Sequence, residues 1–477
     1  MNLGLVLFAG VVVFAACSIN DTPPTIGADG GDDQAMAMND GGDLAGGTDS
    51  AADMTLVLVP DLAPDLTPDL TPDFTGAPTF ALTVMVTGSG TVTSSPAGIN
   101  CSSGSCVGMF PNQMVTLTAT PTVGNYLRSW SGDCSGRTTC TVTVSQARNV
   151  TATFVGITNN LVFVSSASYA TTLGSARAYD TPCNQLATAA GINSQTNDAY
   201  VAYVTDQNSD AVTVLGSARG FMRVDGAPFA DSLSGLVNMN KVLNTLSVDE
   251  KGATVSNGVT LVGASNPALY SCSNWTSTAG NHQSGTTSWG PGAWHNGQSY
   301  PCSGTYRLFC FMKTQTAALS FTPATGKKIY LSNSTFAVAG GIAAADAKCD
   351  ADKPMGTAGA VKALLATTTT PAGAVLTAGA NYVRPDGVLV GTGAELVAGT
   401  LRSGIWQSGN GLYGTGYVFN GSTSSSAVGT ASTTCQNWTS ALMSDHALLG
   451  YLAQPSNWWG QDSVDCSNSY PIYCVEQ

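Results

Sequence analysis

One cysteine spacing occurs twice in this chain. Cys183, Cys272, Cys302 and Cys310 are separated by 89, 30 and 8 residues, and Cys349, Cys435, Cys466 and Cys474 by 86, 31 and 8. A repeated interval set of this kind marks two copies of one disulfide-stapled module, because each step fixes how much chain lies between covalent anchors. Two further matches fall at equivalent offsets: Cys272-Ser-Asn-Trp-Thr-Ser277 recurs as Cys435-Gln-Asn-Trp-Thr-Ser440, and Arg223-Val-Asp-Gly226 as Arg384-Pro-Asp-Gly387.

The chain has 13 cysteines, and apart from Cys17 they divide evenly, four in residues 101 to 140 and four in each copy. Even sets in the absence of any Cys-x-x-Cys point to complete pairing in an oxidising compartment. At 477 residues the chain is long enough for about three domains, each with its own core.

The formal charge of -13 is concentrated in one segment, since residues 18 to 76 hold twelve Asp and no Lys or Arg. The rest of the chain is nearly neutral and lacks the basic excess that a phosphate backbone requires, so nucleic acid is not an expected partner. Residues 18–78 are poor in aromatics and cannot bury enough apolar surface to offset chain entropy, which predicts a disordered acidic Asp/Pro/Gly tether. Its four Pro-Asp-Leu/Phe-Ala/Thr tetrads, beginning at Pro60, Pro64, Pro68 and Pro72, favour an extended chain.

Ahead of the tether, Leu3 to Phe14 is apolar and ends in Val13-Phe-Ala-Ala-Cys17. This end resembles the bacterial lipobox, which implies a signal peptide over residues 1–17 with Cys17 as the lipidated residue. The usual basic start is missing from Met1-Asn-Leu3.

Residues 79–155 alternate apolar and hydroxyl side chains in Ala81–Thr87, Met114–Ala119, Cys140–Val144 and Asn149–Phe154. Period two with Val and Thr enrichment predicts half-buried strands. Cys101 with Cys106, and Cys134 with Cys140, are each close enough to pin a local loop. The succession of Gly-Ser-Gly-Thr-Val, Ser-Ser-Pro-Ala-Gly, Trp130-Ser-Gly and Val-Thr-Ala-Thr-Phe resembles the divergent internalin-type B-repeat of bacterial surface proteins. That resemblance implies a spacer or adhesive stalk.

The two copies, residues 160–313 and 327–477, each open with a strand, Leu161–Val164 or Lys328–Leu331, and continue into an Ala-rich helix. Ala176, Tyr179, Cys183, Leu186 and Ala190 fall at helical spacing in the first copy, and Ile342, Ala345 and Cys349 in the second. Each copy closes on an aromatic strand, Tyr306–Phe311 or Tyr470–Val475. The expectation is an α+β module in which the first and last cysteines tie helix to closing strand and the middle two staple the loops.

This framework, with Asn-Trp-Thr-Ser after the second cysteine, resembles the C-type-lectin-like fold and more narrowly an uncharacterised endostatin-like domain of bacterial lipoproteins. The resemblance implies the pairs Cys183–Cys310, Cys272–Cys302, Cys349–Cys474 and Cys435–Cys466, and a surface-exposed binding role. The predicted class is therefore multidomain: a small all-β repeat domain followed by two tandem, disulfide-stapled α+β lectin-like domains.

Lectin-like domains that hold sugar through calcium carry Glu-Pro-Asn or Gln-Pro-Asp and Trp-Asn-Asp motifs as hard-ion ligands. The stretches before Cys302 and Cys466 lack that set, and only Asp462 and Asp465 offer calcium a pair of carboxylates. No cofactor is expected. Trp289, Trp294 and Tyr300 in the first copy, and Trp458, Trp459 and Tyr470 in the second, are the candidate ligand contacts, with packing as the competing role. Trp275 and Trp438 are expected in the core.

The three histidines form no recognised catalytic motif, and Gly409-Asn-Gly-Leu-Tyr-Gly414 lacks the strand-turn-helix setting of a dinucleotide site. The sequence thus favours a non-enzymatic, exported lipoprotein of the bacterial outer membrane or cell surface that binds a glycan or an extracellular protein, with the membrane touched only through its lipid. A structural stalk protein without a discrete ligand is the alternative, and a hydrolase using loop carboxylates a distant third.

Overall fold

The computed structural model describes residues 77–193, 199–263 and 266–477. The leader, Cys17 and the tether up to residue 76 lie outside them.

The alternating segments fold as two facing sheets. Strands β1 (Thr79–Thr87), β2 (Gly90–Ser95), β3 (Asn100–Cys101), β4 (Gly104–Pro111), β5 (Gln113–Pro121), β6 (Asn125–Gly132), β7 (Cys140–Val144) and β8 (Arg148–Gly156) pair in the orders β4-β1-β8-β6 and β3-β2-β5-β7. β1 and β8 run parallel and the other neighbours antiparallel. Because side chains alternate across a strand, Leu82, Val84 and Val86 of β1 meet Val92, Val115, Leu117, Val142 and Val144 in one core while the intervening threonines face out. Trp130 closes the end of this core, its indole donating to Thr138 O at 2.6 Å.

The two copies repeat one topology strand for strand. In the first, the five-stranded order is Tyr200–Ala202, Phe309–Met312, Asn160–Val164, Arg219–Arg223, Pro228–Ser232. In the second it is Val361–Ala363, Tyr473–Glu476, Lys327–Leu331, Asn381–Val383, Leu389–Thr392. Opening and closing strands are antiparallel neighbours, with Phe163 opposite Cys310 and Tyr330 opposite Cys474. The ends of each module therefore meet in mid-sheet.

Helix Asp180–Ala189, entered through a 3-10 turn at Ala176–Tyr179, and helix Gly341–Ala351 pack on these sheets with Cys183 and Cys349 facing inward. Each cysteine bridges to the closing strand, Cys183–Cys310 and Cys349–Cys474. A three-stranded sheet completes each copy, Val259–Leu261 with Asn281–Thr286 and Ser299–Pro301, and Tyr417–Phe419 with His446–Tyr451 and Asp462–Asp465.

Two of the cores cross the boundaries drawn from sequence. Tyr126 and Ile157 of the β domain sit in the first copy's core, and Arg137, buried over the Tyr126 ring, donates to Leu127 O at 2.8 Å and Glu250 O at 2.9 Å. Burial pushes the Arg137 guanidinium below its ordinary range. Trp406 of the second copy is likewise part of the first copy's core.

Candidate functional site

The Asn-Trp-Thr-Ser segments build the floor of each loop region. Cys272 to Trp275 and Cys435 to Trp438 all have positive φ, between 48° and 67°, so each forms a left-handed turn made without a single glycine. Such a turn costs roughly 1 kcal/mol or more per residue and persists only where surrounding contacts over-determine it. Those contacts are the same in both copies. Ser271 Oγ and Thr434 Oγ1 accept the backbone N–H of Asn274 and Asn437 at 3.1 Å. The asparagine Oδ1 atoms accept from Gln207 N at 3.0 Å and Thr368 N at 2.8 Å. The indoles of Trp275 and Trp438 are fully buried and donate to Thr205 O at 3.1 Å and Ala366 O at 2.8 Å. Cys272–Cys302 and Cys435–Cys466 then fasten the turn to the strand beyond.

Among the described residues the bridges are the four of the two copies together with Cys101–Cys106 and Cys134–Cys140 in the β domain.

Of the six aromatic residues read as ligand contacts, three are packing residues, and their reading as contacts is corrected accordingly. Trp294 is 0% exposed and lies against Tyr203, Phe229 and Phe309, with ring centroids 5.0 to 5.7 Å apart. Trp458 and Trp459, 2% and 5% exposed, meet edge-on with ring centroids 4.9 Å apart and donate to Gly399 O and Ser422 Oγ. The loops before Cys302 and Cys466 fold back over the sheet, and these large indoles gain more from burial there than from solvent. Trp289 is half-buried.

Tyr300 and Tyr470 remain partly open, each in a tyrosine cluster beside its three-stranded sheet. Tyr300 lies 6.1 Å from Tyr306, which packs edge-on to His282 at 4.4 Å. In the second copy Tyr470 lies 6.0 Å from Tyr417, itself 5.0 Å from Tyr451. Each patch thus presents half-exposed phenol rings, apolar on the face and polar at the tip.

Asp462 and Asp465 do not converge. They lie three residues apart on one strand, opposite Leu449 and His446, so the pleat sends them to opposite faces. Asp465 accepts instead from Ser467 and its backbone N–H, which hold its carboxyl below the usual range.

The residues that sequence reasoning missed lie where the copies meet. Arg384 of the repeated Arg-x-Asp-Gly is 0% exposed. It pairs with Asp386 at 2.7 Å, donates to Gly404 O at 2.8 Å, and reaches across to Leu243 O of the first copy at 2.7 Å. Ser403 Oγ donates to the same carbonyl at 3.1 Å. The Arg384 guanidinium lies 5.0 Å over the Trp406 ring, whose N–H donates to Val242 O at 2.7 Å. Gly290 N donates to Ala453 O at 2.7 Å between the two long loops.

Equivalent segments of the two copies thus face each other. Val255 N to Ser247 O is matched by Gly414 N to Trp406 O, and Arg223 Nη1 to Thr245 O by Arg384 Nη1 to Gly404 O. Ser247 and Trp406 are therefore counterparts, as are Thr245 and Gly404. The recurrence of Arg-x-Asp-Gly was legible in sequence, but its partners, about 20 residues downstream in each copy, were not.

Comparison with known proteins agrees with part of this architecture. No curated protein matches the chain, while residues 80–158, which form the β domain, match the family described as the divergent InlB B-repeat domain.

Proposed function

We propose that the chain is an exported surface protein, lipid-anchored at Cys17, that binds a glycan or an extracellular protein through two lectin-like heads carried behind a B-repeat spacer. The observation that carries this reading is a cluster of half-exposed tyrosines in each head around one equivalent position, Tyr306 with Tyr300 in the first and Tyr470 with Tyr417 and Tyr451 in the second. Tyrosine offers large, rigid, amphipathic contact area at low entropic cost and suits both sugar faces and protein epitopes. Two such patches on one chain raise the effective concentration of the second contact. The lectin-like assignment is supported by opening and closing strands that meet in one sheet, by first-to-fourth and second-to-third cysteine pairing, and by a loop region stapled at its base.

The test is binding of the full-length protein to immobilised matrix proteins and to a glycan array, compared with Tyr300→Ala and with Tyr451→Ala/Tyr470→Ala. Each variant should weaken binding at least about tenfold, the loss of one aromatic anchor. Binding that is unchanged in both would remove the tyrosine patches as the contact surface. For the anchor, Cys17→Ala should move the protein from the membrane fraction to the soluble one.

A further inference from the structure

The joint between the heads has an approximate two-fold relation, so it contains two equivalent niches, and they differ. On one side Trp406 fills the niche. Its indole lies against Gly290, where an added Cβ would come within 2.6 Å of the ring, and against Gly404, where a Cβ would overlap it. On the other side the counterpart of Trp406 is Ser247 and that of Gly404 is Thr245. There a cleft of about 540 Å³ stays open between the heads. The two arrangements are each locally consistent: glycine with tryptophan where the niche is closed, threonine with serine where it is open. The reciprocal of the Arg384 contact to Leu243 O would be Arg223 to Arg402 O, and both arginines line the open cleft.

We infer that this open niche is a binding site for a neutral oligosaccharide, held between the two heads. Its walls are rich in hydroxyls, Ser247, Thr254, Ser256 and Ser288 from the first head and Thr400 and Ser456 from the second, with Val255 and Leu401 as apolar strips between them. Short hydroxyls that both donate and accept suit a polyhydroxyl ligand. The volume falls within the ordinary range of small-molecule sites. Charge selects against an anion. The Arg223 guanidinium is paired with Asp225, and Arg402 chelates Glu395 at 2.8 and 3.0 Å. Arg402 holds the Glu395 carboxyl down to about 2, so it stays ionised and the arginine stays neutralised. Each ion pair sums to no net charge, while its guanidinium keeps planar donor geometry. The inference rests on the proposed binding role and places a second kind of contact, distinct from the tyrosine patches.

The test uses the full-length protein on an array carrying neutral and acidic oligosaccharides alongside immobilised matrix proteins. Ser256→Trp and Thr400→Trp narrow the cleft from opposite walls at exposed positions, so folding should survive and melting temperatures should match the parent protein. The expected result is retention on neutral oligosaccharides that falls at least about tenfold in both variants, while Met355→Trp, an equally bulky change at an exposed position outside the cleft, leaves it unchanged. Three results would overturn the niche. Neutral-sugar binding that survives both substitutions places the sugar elsewhere. Binding confined to acidic sugars contradicts the charge argument. No sugar binding alongside tyrosine-dependent retention on matrix proteins removes the niche while leaving the binding role of the heads intact.

Discussion

The indole N–H of Trp406 donates to the carbonyl of Val242 at 2.7 Å, across 164 residues of sequence and from one copy of the module to the other. The tryptophan is 0% exposed and belongs to the core of the head it does not come from. The heads are thereby one mechanical unit, and a perturbation at the joint should be felt by both.

Trp406→Ala should cost about 3 to 5 kcal/mol, the usual range for emptying a buried tryptophan site. It should also uncouple the heads, so that calorimetry resolves an additional transition. A single transition shifted by less than a degree would show that the joint carries little of the stability.

Arg384 satisfies Asp386, Gly404 O and Leu243 O with one planar fork, which a lysine cannot reproduce. Arg384→Ala leaves Asp386 uncompensated in a site where it is 10% exposed and should destabilise by about 3 to 5 kcal/mol. Arg384→Lys should recover less than half of that. Denaturant midpoints at constant slope give the comparison.

The left-handed turn at Cys435 to Trp438 depends on Asn437, which tolerates positive φ and whose Oδ1 accepts from Thr368 N. Asn437→Ala should lose about 2 kcal/mol from the bond and the backbone conformation together. Asn437→Gly relieves the conformational part alone and should fall between the parent protein and the alanine variant. Equal losses for alanine and glycine would mean that the conformation contributes nothing.

Loop length separates the disulfides. Cys349–Cys474 closes 125 residues and Cys101–Cys106 only 5. In the chain-entropy account, replacing the long bridge with alanines should cost about 4 to 5 kcal/mol and replacing the short one about 2. Chemical denaturation of the two double variants measures the difference.

His282 is fully buried and its imidazole is pushed below its ordinary range by burial, and burial takes His295 down to about 4. Both are more easily protonated in the unfolded chain, near pH 6.5. As pH falls from about 6.5 to about 4 the unfolded state gains protons first, so His295 should lower stability by an amount on the order of 2 kcal/mol and then level off, and His282 acts in the same direction. Melting temperatures across that window should follow this course, and His295→Asn should flatten part of it.

Much of the scaffold was legible because it is written in linear intervals. Cysteine steps and the Asn-Trp-Thr-Ser recurrence identify the duplication without any knowledge of packing, and the Val/Thr alternation of Ala81–Thr87 or Asn149–Phe154 specifies a strand because period two is a backbone property. The helix positions of Cys183 and Cys349 followed from spacing of the same kind. The tryptophans were not legible in this way. Trp294, Trp458 and Trp459 occupy loops, where nothing in the local pattern separates an indole turned toward solvent from one folded over a sheet.

The sequence by itself determined the repeat and the strand periodicity, since each depends on residues counted along one segment, while the pairing inside each repeated cysteine set rested on the family resemblance. Only the tertiary structure decided that three loop tryptophans belong to the core, that Trp406 serves the opposite head, and that Ser247 leaves the matching niche open. Those outcomes depend on which distant surfaces come into contact and how much space remains between them, and close packing of segments more than a hundred residues apart has no local signature.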